Sequence, residues 1–97
     1  MEHTILVVDD ESTTRRVVTF AMKALGVIVV EAANAEIAFQ VTQNRLFDLM
    51  LIDINLPDID GFKLATQLHA MNGLENTPKA LIGLLAGENR GKRMIKV

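Results

Sequence analysis

The stretch DLMLIDINLPDIDG, residues 48–61, joins a predicted buried strand to an acidic turn. The run FDLMLIDI (47–54) is almost continuously apolar, which is typical of a strand covered on both faces of a parallel sheet. Asp53 stands near the end of this run. Because burying an unpaired carboxylate costs several kcal/mol, we expect Asp53 to have a compensating partner or a function.

Strands and helices are predicted to alternate on both sides of this stretch. Apolar runs predict three more strands, at 4–8, 27–32 and 79–86. Helices are predicted from Glu11 or Ser12 to Gly26, from a cap at Asn34 onward, and over 62–71. This βαβαβαβ order indicates an α/β domain with a parallel sheet, right-handed crossovers and helices on both faces. The binding crevice of such a sheet lies at the carboxyl ends of its strands.

Composition indicates one globular domain and excludes several classes of protein. The chain has 97 residues, of which 49% are hydrophobic and 23% charged. It has no cysteine, which excludes disulfides and thiolate metal sites. The start MEHTILVVDD is unlike a signal peptide, and no apolar stretch reaches the roughly 18 residues that span a membrane. We therefore expect a cytoplasmic protein with no membrane contact.

Charge is distributed unevenly along the chain. Residues 1–60 hold ten acids and four bases, a net −6, whereas residues 61–97 hold two acids and six bases, a net +4. The basic end, residues 88–97, has no aromatic side chain for base stacking. We therefore interpret it as a solvated helix face and expect no direct contact with nucleic acid.

Three aspartates are candidates for one site. Asp9 and Asp10 follow the first predicted strand, and Asp53 ends the third. If these strands are neighbours, the three carboxylates meet at one edge of the sheet and repel each other. A divalent cation would relieve this repulsion, and an all-oxygen set suits Mg²⁺. Zinc is disfavoured because His3 opens the first strand at its opposite end and His69 lies within a helix.

Three segments together resemble the receiver domain of bacterial two-component response regulators. They are ILVVDDE (5–11), GVIVVEAANAEIAFQ (26–40) and DLMLIDINLPDIDGFKL (48–64), and the resemblance covers about residues 4–82. It implies a chemotaxis-regulator-like signalling module rather than an enzyme. It also implies a flavodoxin-like, doubly wound parallel sheet of strand order 2-1-3-4, in one receiver domain over residues 1–97.

The resemblance assigns a role to each candidate residue. Asp53 would be the phosphoacceptor and attack the phosphohistidine of a sensor histidine kinase. Asp10 would bind Mg²⁺ directly, Asp9 would act through water, and Asn55 would contribute its main-chain carbonyl as the third protein ligand. The loop into the third helix would be shaped by Pro57, Asp58 and Gly61.

The chain departs from the family pattern in its last third. The family carries Thr or Ser at the end of the fourth strand, where this chain has Gly83, or Leu85 after a shift of two. The family's fifth strand, its lysine and its last helix are expected to be missing, since Lys96 lies too close to the fourth strand to be that lysine. The fourth strand would then be an exposed edge, which predicts a homodimer through this strand and the segment 79–97. A piece of a longer protein is the alternative.

Two functions stay open after the resemblance. One is a phosphoacceptor receiver, and the other is a degenerate receiver that acts as a dimerisation or interaction module without phosphorylation. A phosphatase with an aspartate nucleophile is disfavoured, because Asn55 stands where its second acid would be. A dinucleotide site is disfavoured because the sequence after the first strand, DDESTT, has no glycine.

Overall fold

The computed structural model describes residues 3–71, 81–88 and 91–96. In chain order its elements are β1 (Thr4–Val8), α1 (Ser12–Lys23), β2 (Ile28–Ala32), α2 (Ala35–Thr42), β3 (Leu49–Asp53), α3 (Gly61–Met71), β4 (Leu81–Glu88) and β5 (Gly91–Lys96). The predicted alternation of strand and helix is confirmed from β1 to α3. Residues 79–80 of the predicted fourth strand lie outside the described residues.

The sheet brings the carboxyl ends of β1 and β3 together. β1 lies between β2 and β3, and the three strands run parallel. Val8 pairs with Ala32 on β2 and with Ile52 on β3. The flavodoxin-like sheet and its order 2-1-3 are therefore confirmed. β4 follows on the outer side of β3, also parallel, with Leu85 in register with Asp53.

The end of the chain differs from the expectation. A solvated helix face was expected over 88–97, and a fifth strand was expected to be missing. The structure has β5 there, antiparallel to β4, with register pairs from Glu88↔Gly91 to Gly83↔Lys96. The physical reason is that an open strand edge leaves unpaired N–H and C=O groups, and an antiparallel return needs only a short connection to pair them. The expectation that β4 is the exposed edge is therefore wrong.

Each face of the sheet carries its own apolar cluster, because alternate residues of β1 and β3 point to opposite faces. Under α2 and α3 the fully buried members of the cluster are Leu6, Val8, Ile52, Leu64, Leu68 and Ala38. Under α1 the cluster contains Ile5, Val7 and Leu51, with the partly buried Val18 and Met22 packed against it. Full burial of each leucine or isoleucine stabilises the fold by about 1.5–3 kcal/mol. These two layers hold the strand ends in fixed positions.

The first helix ends at Lys23, three residues before the predicted end at Gly26. Gly26 has a φ of 76°, in the left-handed region that favours glycine.

Within the described residues, no helix has the length and apolar character that a membrane span requires.

Candidate metal centre

The structure brings the three predicted aspartates together. Asp9 and Asp10 are the two residues that follow β1, and Asp53 is the last residue of the neighbouring strand β3. Each contributes one carboxylate oxygen to a group whose atoms all lie within 4.8 Å of one another. Asp9 and Asp53 are 0% exposed, whereas Asp10 is exposed. The cluster therefore has two buried acids and one that is open to solvent.

Asp9 is held in place by contacts from three directions. Its main-chain N–H donates to the carbonyl of Ala32 at 3.0 Å. Its Oδ1 accepts from the N–H of Glu11 at 2.9 Å, which turns the chain into α1. Arg15 donates from Nη1 to the carbonyl oxygen of Asp9 at 2.6 Å, and its Nε pairs with Glu31 at 3.2 Å. The backbone of Asp9 is thus tied to both β2 and α1.

Sequence reasoning did not find Arg15. A weak signal was present, because Arg15 lies in the first turn of the helix that follows the acidic pair. Its side chain is only 17% exposed, so its guanidinium is a partly buried positive charge beside the acidic cluster.

Asp53 is linked to the loop that follows it. Its Oδ1 accepts from the N–H of Asn55 at 3.2 Å, and Asn55 forms an isolated antiparallel bridge with Asp60. Asn55 therefore lies directly beside the carboxylate of Asp53. The use of its main-chain carbonyl as a metal ligand stays a prediction.

Gly61 allows α3 to begin against the backbone of the site. Its N–H donates to the carbonyl of Ile54 at 2.7 Å. A Cβ at this position would lie 2.1 Å from the carbonyl oxygen of Asp53 and 2.6 Å from the Cα of Ile54. No side chain fits at these distances, so only glycine lets the helix approach this closely. The structure thus gives a steric reason for the predicted role of Gly61 in shaping the loop.

Asp58 makes a contact that the sequence did not indicate. Its Oδ1 accepts from the N–H of Ala35 at 3.1 Å, and its Oδ2 accepts from the N–H of Glu36 at 3.2 Å. Sequence reasoning assigned Asp58 only to a turn. Asp58 lies 23 residues after Ala35 and 22 residues after Glu36 in the sequence. No local sequence pattern predicts a helix cap from a residue so far along the chain.

The donor set fits a hard divalent cation. Within the described part of the chain, the group of possible ligands consists of the carboxylates of Asp9, Asp10 and Asp53. Oxygen ligands suit Mg²⁺, which keeps several waters and takes few carboxylates. His3 lies at the opposite end of β1, where its Nδ1 is 3.5 Å from Asp48. His69, in α3, is not part of the group either.

The β4 residue in register with Asp53 is Leu85, and Gly83 pairs with Leu51 two residues earlier. The gapless alignment, which places Gly83 at the end of β4 beside the site, is therefore not the one that the backbone register supports. Neither residue has a hydroxyl group.

Comparison with known proteins agrees with this geometry. A family model for the response regulator receiver domain matches residues 5–96. The chain is 35% identical over 89 residues to a gliding motility regulatory protein of Myxococcus xanthus, and 30% identical over 95 residues to the sensor histidine kinase CheAY of Helicobacter pylori. These matches cover 92% and 96% of this chain but only 12% of each relative.

Two solved structures are similar in fold. A CheY-like response regulator receiver domain protein of Methanospirillum hungatei has a TM-score of 0.80 at 27% identity, covering 91% of this chain and 66% of that chain. The response regulator TrrA of Thermotoga maritima, solved in complex with Mg(2+)-BeF, has a TM-score of 0.74 at 28% identity, covering 91% of this chain and 72% of that chain.

Proposed function

Since the chain belongs to the response regulator receiver domain family, we propose that it takes a phosphoryl group from a sensor histidine kinase onto Asp53. Receiver domains are signalling modules of two-component systems, and response regulators receive phosphate from sensor histidine kinases. The observation that supports this most strongly is the group of three carboxylate oxygens within 4.8 Å, two of them on buried side chains. Structural needs alone do not account for two buried carboxylates beside a third.

In the proposed reaction, a carboxylate oxygen of Asp53 attacks the phosphorus of a phosphohistidine. An O–P bond forms as the P–N bond breaks, and the electron pair of the P–N bond stays on the imidazole nitrogen of the kinase. Asn55 holds the attacking carboxylate in position, because its N–H donates to Oδ1 of Asp53. The product is an acyl phosphate.

The proposed cofactor is Mg²⁺. It would be held by the side chains of Asp10 and Asp53 and by the main-chain carbonyl of Asn55, with the side chain of Asp9 acting through water. When bound, it supplies positive charge that neutralises and orients the transferring phosphoryl group. The Mg(2+)-BeF complex of the similar TrrA protein supports this choice of metal.

An exposed apolar face of α1 supports docking of a protein partner on this helix. α1 begins two residues after Asp10, and its Val17 and Phe20 are 64% and 79% exposed. Exposed apolar residues of this size grouped on one helix face are typical of interaction surfaces. A kinase that delivers a phosphoryl group to Asp53 must contact the sheet at the carboxyl ends of β1 and β3, which is the end at which α1 begins.

A degenerate receiver is the second candidate function, and one observation favours it. The β4 residue in register with Asp53 is Leu85, so that position has no hydroxyl group to contact a phosphoryl group. In this case the domain would serve as an interaction or dimerisation module. The homodimer stays a prediction, as do the cytoplasmic location, the extent of the domain over residues 1–97 and the absence of a last helix.

Intact mass measurement separates the two functions. The full chain is incubated with acetyl phosphate, with and without Mg²⁺, beside an Asp53→Asn variant. The phosphoacceptor proposal predicts a mass increase of one phosphoryl group that needs Mg²⁺ and is lost in the variant. A folded wild-type chain that gains no mass would favour the degenerate receiver instead.

A further inference from the structure

We propose that Asp58 is a positioning residue that straps the loop of the metal centre to the N-terminus of α2, so that metal binding and the first turn of α2 are coupled. The proposal concerns residues 54–60, here called the site loop, which joins β3 to α3. It rests on the proposed function, in that the acidic cluster binds Mg²⁺ with the main-chain carbonyl of Asn55 as a ligand.

The main-chain N–H groups in the first turn of α2 find their hydrogen-bond acceptors mainly in the site loop. The N–H groups at the start of a helix have no partner within the helix. Here the N–H groups of Ala35 and Glu36 both donate to the carboxylate of Asp58. The next N–H, of Ile37, donates to Oδ1 of the N-cap residue Asn34 at 2.9 Å. Two of these three donors therefore depend on Asp58, whose negative charge also suits the positive end of the helix.

The same carboxylate lies in the loop that carries the expected third ligand. The site loop is fixed at its start by the bond from Asn55 to Asp53 and at its end by the bond from Gly61 to Ile54. Between these ends, Asp58 attaches the loop to α2, while Asp60 accepts from the N–H groups of Phe62 and Leu64 in α3. Three partly buried side chains of the loop also pack against the core: Ile54, Leu56 and Ile59. The strap thus fixes the part of the loop that follows Asn55.

The coupling must act in both directions. If the strap holds the site loop in the conformation that binds metal, then metal binding must stabilise the strap by the same factor. The expected signature is slower hydrogen exchange at the N–H groups of Ala35 and Glu36 when Mg²⁺ is added. These N–H groups belong to α2, whereas the metal ligands lie on or beside β1 and β3.

The test uses Asp58→Asn in the full chain, with two matched controls. Asn is isosteric, but it has one acceptor oxygen and no charge. Asn34→Ala removes the cap on Ile37 from the same helix and leaves the strap intact, so it controls for loss of helix stability. Glu36→Gln removes one negative charge from the same helix turn and keeps the N–H that donates to Asp58, so it controls for net charge.

Mg²⁺ affinity is measured by isothermal titration calorimetry, and amide exchange is measured by NMR with and without Mg²⁺. Asp58→Asn should weaken Mg²⁺ binding by about five- to tenfold and abolish the protection of Ala35 and Glu36 by Mg²⁺. Both controls should bind Mg²⁺ within about twofold of wild type. Wild-type affinity in Asp58→Asn, or an equal loss in either control, would overturn the proposal. A wild-type chain that binds no Mg²⁺ would overturn the metal centre itself, and the coupling with it.

Discussion

Replacement of Gly61 by alanine should damage both the stability of the fold and the metal centre. The added Cβ would lie 2.1 Å from the carbonyl oxygen of Asp53, 2.6 Å from the Cα of Ile54 and 2.8 Å from the carbonyl carbon of Asp53. All three contacts are with backbone atoms, so no side chain can rotate away to relieve them. Either the start of α3 or the end of β3 must move by about 1 Å to restore ordinary contact distances.

The expected cost follows from the nature of the clash. Overpacking a well-packed site costs about 1–3 kcal/mol, and a clash with backbone belongs at the upper end. We therefore expect Gly61→Ala to lower the free energy of unfolding by about 3 kcal/mol. For a chain of this size with a urea m-value of about 1–1.5 kcal/mol/M, the unfolding midpoint should fall by about 2–3 M.

Gly26→Ala is the matched control because it tests the tolerance of glycine for a positive φ without any steric clash. At Gly26 the φ of 76° disfavours a side chain, but a Cβ would meet no atom within 4 Å. The expected cost is only the backbone penalty of about 1–2 kcal/mol, with no change at the metal centre. Gly61→Ala should in addition weaken Mg²⁺ binding, because the displaced backbone belongs to Asp53.

Urea unfolding followed by far-ultraviolet circular dichroism measures both variants, and calorimetry measures their Mg²⁺ affinity. If Gly61→Ala costs no more than Gly26→Ala and binds Mg²⁺ like wild type, the close approach of α3 to Asp53 does not exist in solution.

Three further predictions follow from the site. Asp53→Asn removes one of three mutually repelling carboxylates, so without Mg²⁺ the variant should be more stable than wild type by about 1 kcal/mol. This gain in stability should shrink when Mg²⁺ is added to both proteins. A variant that is less stable than wild type both with and without Mg²⁺ would contradict the prediction. Arg15→Gln loses the bond to the carbonyl of Asp9 and the pair with Glu31, and urea unfolding should show a loss of about 1–2 kcal/mol, whereas an unchanged midpoint would mean that these contacts contribute nothing. Phe20→Gln should slow phosphoryl transfer from any histidine kinase that phosphorylates the wild type, but it should not slow phosphorylation by acetyl phosphate. Leu46 is equally exposed, at 79%, but precedes β3 at the opposite edge of the sheet, so Leu46→Gln should change neither rate. Equal effects of the two substitutions would refute docking on α1.

The three aspartates could be predicted as one site because two general rules were sufficient. Continuous apolar runs indicated buried parallel strands, and parallel strands bring their carboxyl ends to one edge. The position of Asp9, Asp10 and Asp53 after two such runs then placed them together, provided that the strands were neighbours. That last condition, the order 2-1-3, came from the family resemblance, because hydrophobic periodicity carries no information about which strands pair.

The parts that were missed depend on contacts between distant segments. The strap from Asp58 to Ala35 and the bond from Arg15 to the carbonyl of Asp9 are tertiary contacts of polar groups, and a turn residue or a helix arginine looks the same in sequence without them. The strand β5 was missed for a related reason. Its sequence GKRMIK (91–96) has little β character, and its pairing follows from the open edge of β4 rather than from its own pattern.

Chemical mapping of the phosphorylated residue shows which aspartate accepts the phosphoryl group. The chain is treated with acetyl phosphate and Mg²⁺ and then reduced with borohydride, which converts an aspartyl phosphate to homoserine, and the peptides are sequenced by mass spectrometry. We expect homoserine at position 53 only, and none when Mg²⁺ is left out. Homoserine at Asp9 or Asp10, or at no position in a folded chain, would contradict the assignment of Asp53 as the phosphoacceptor.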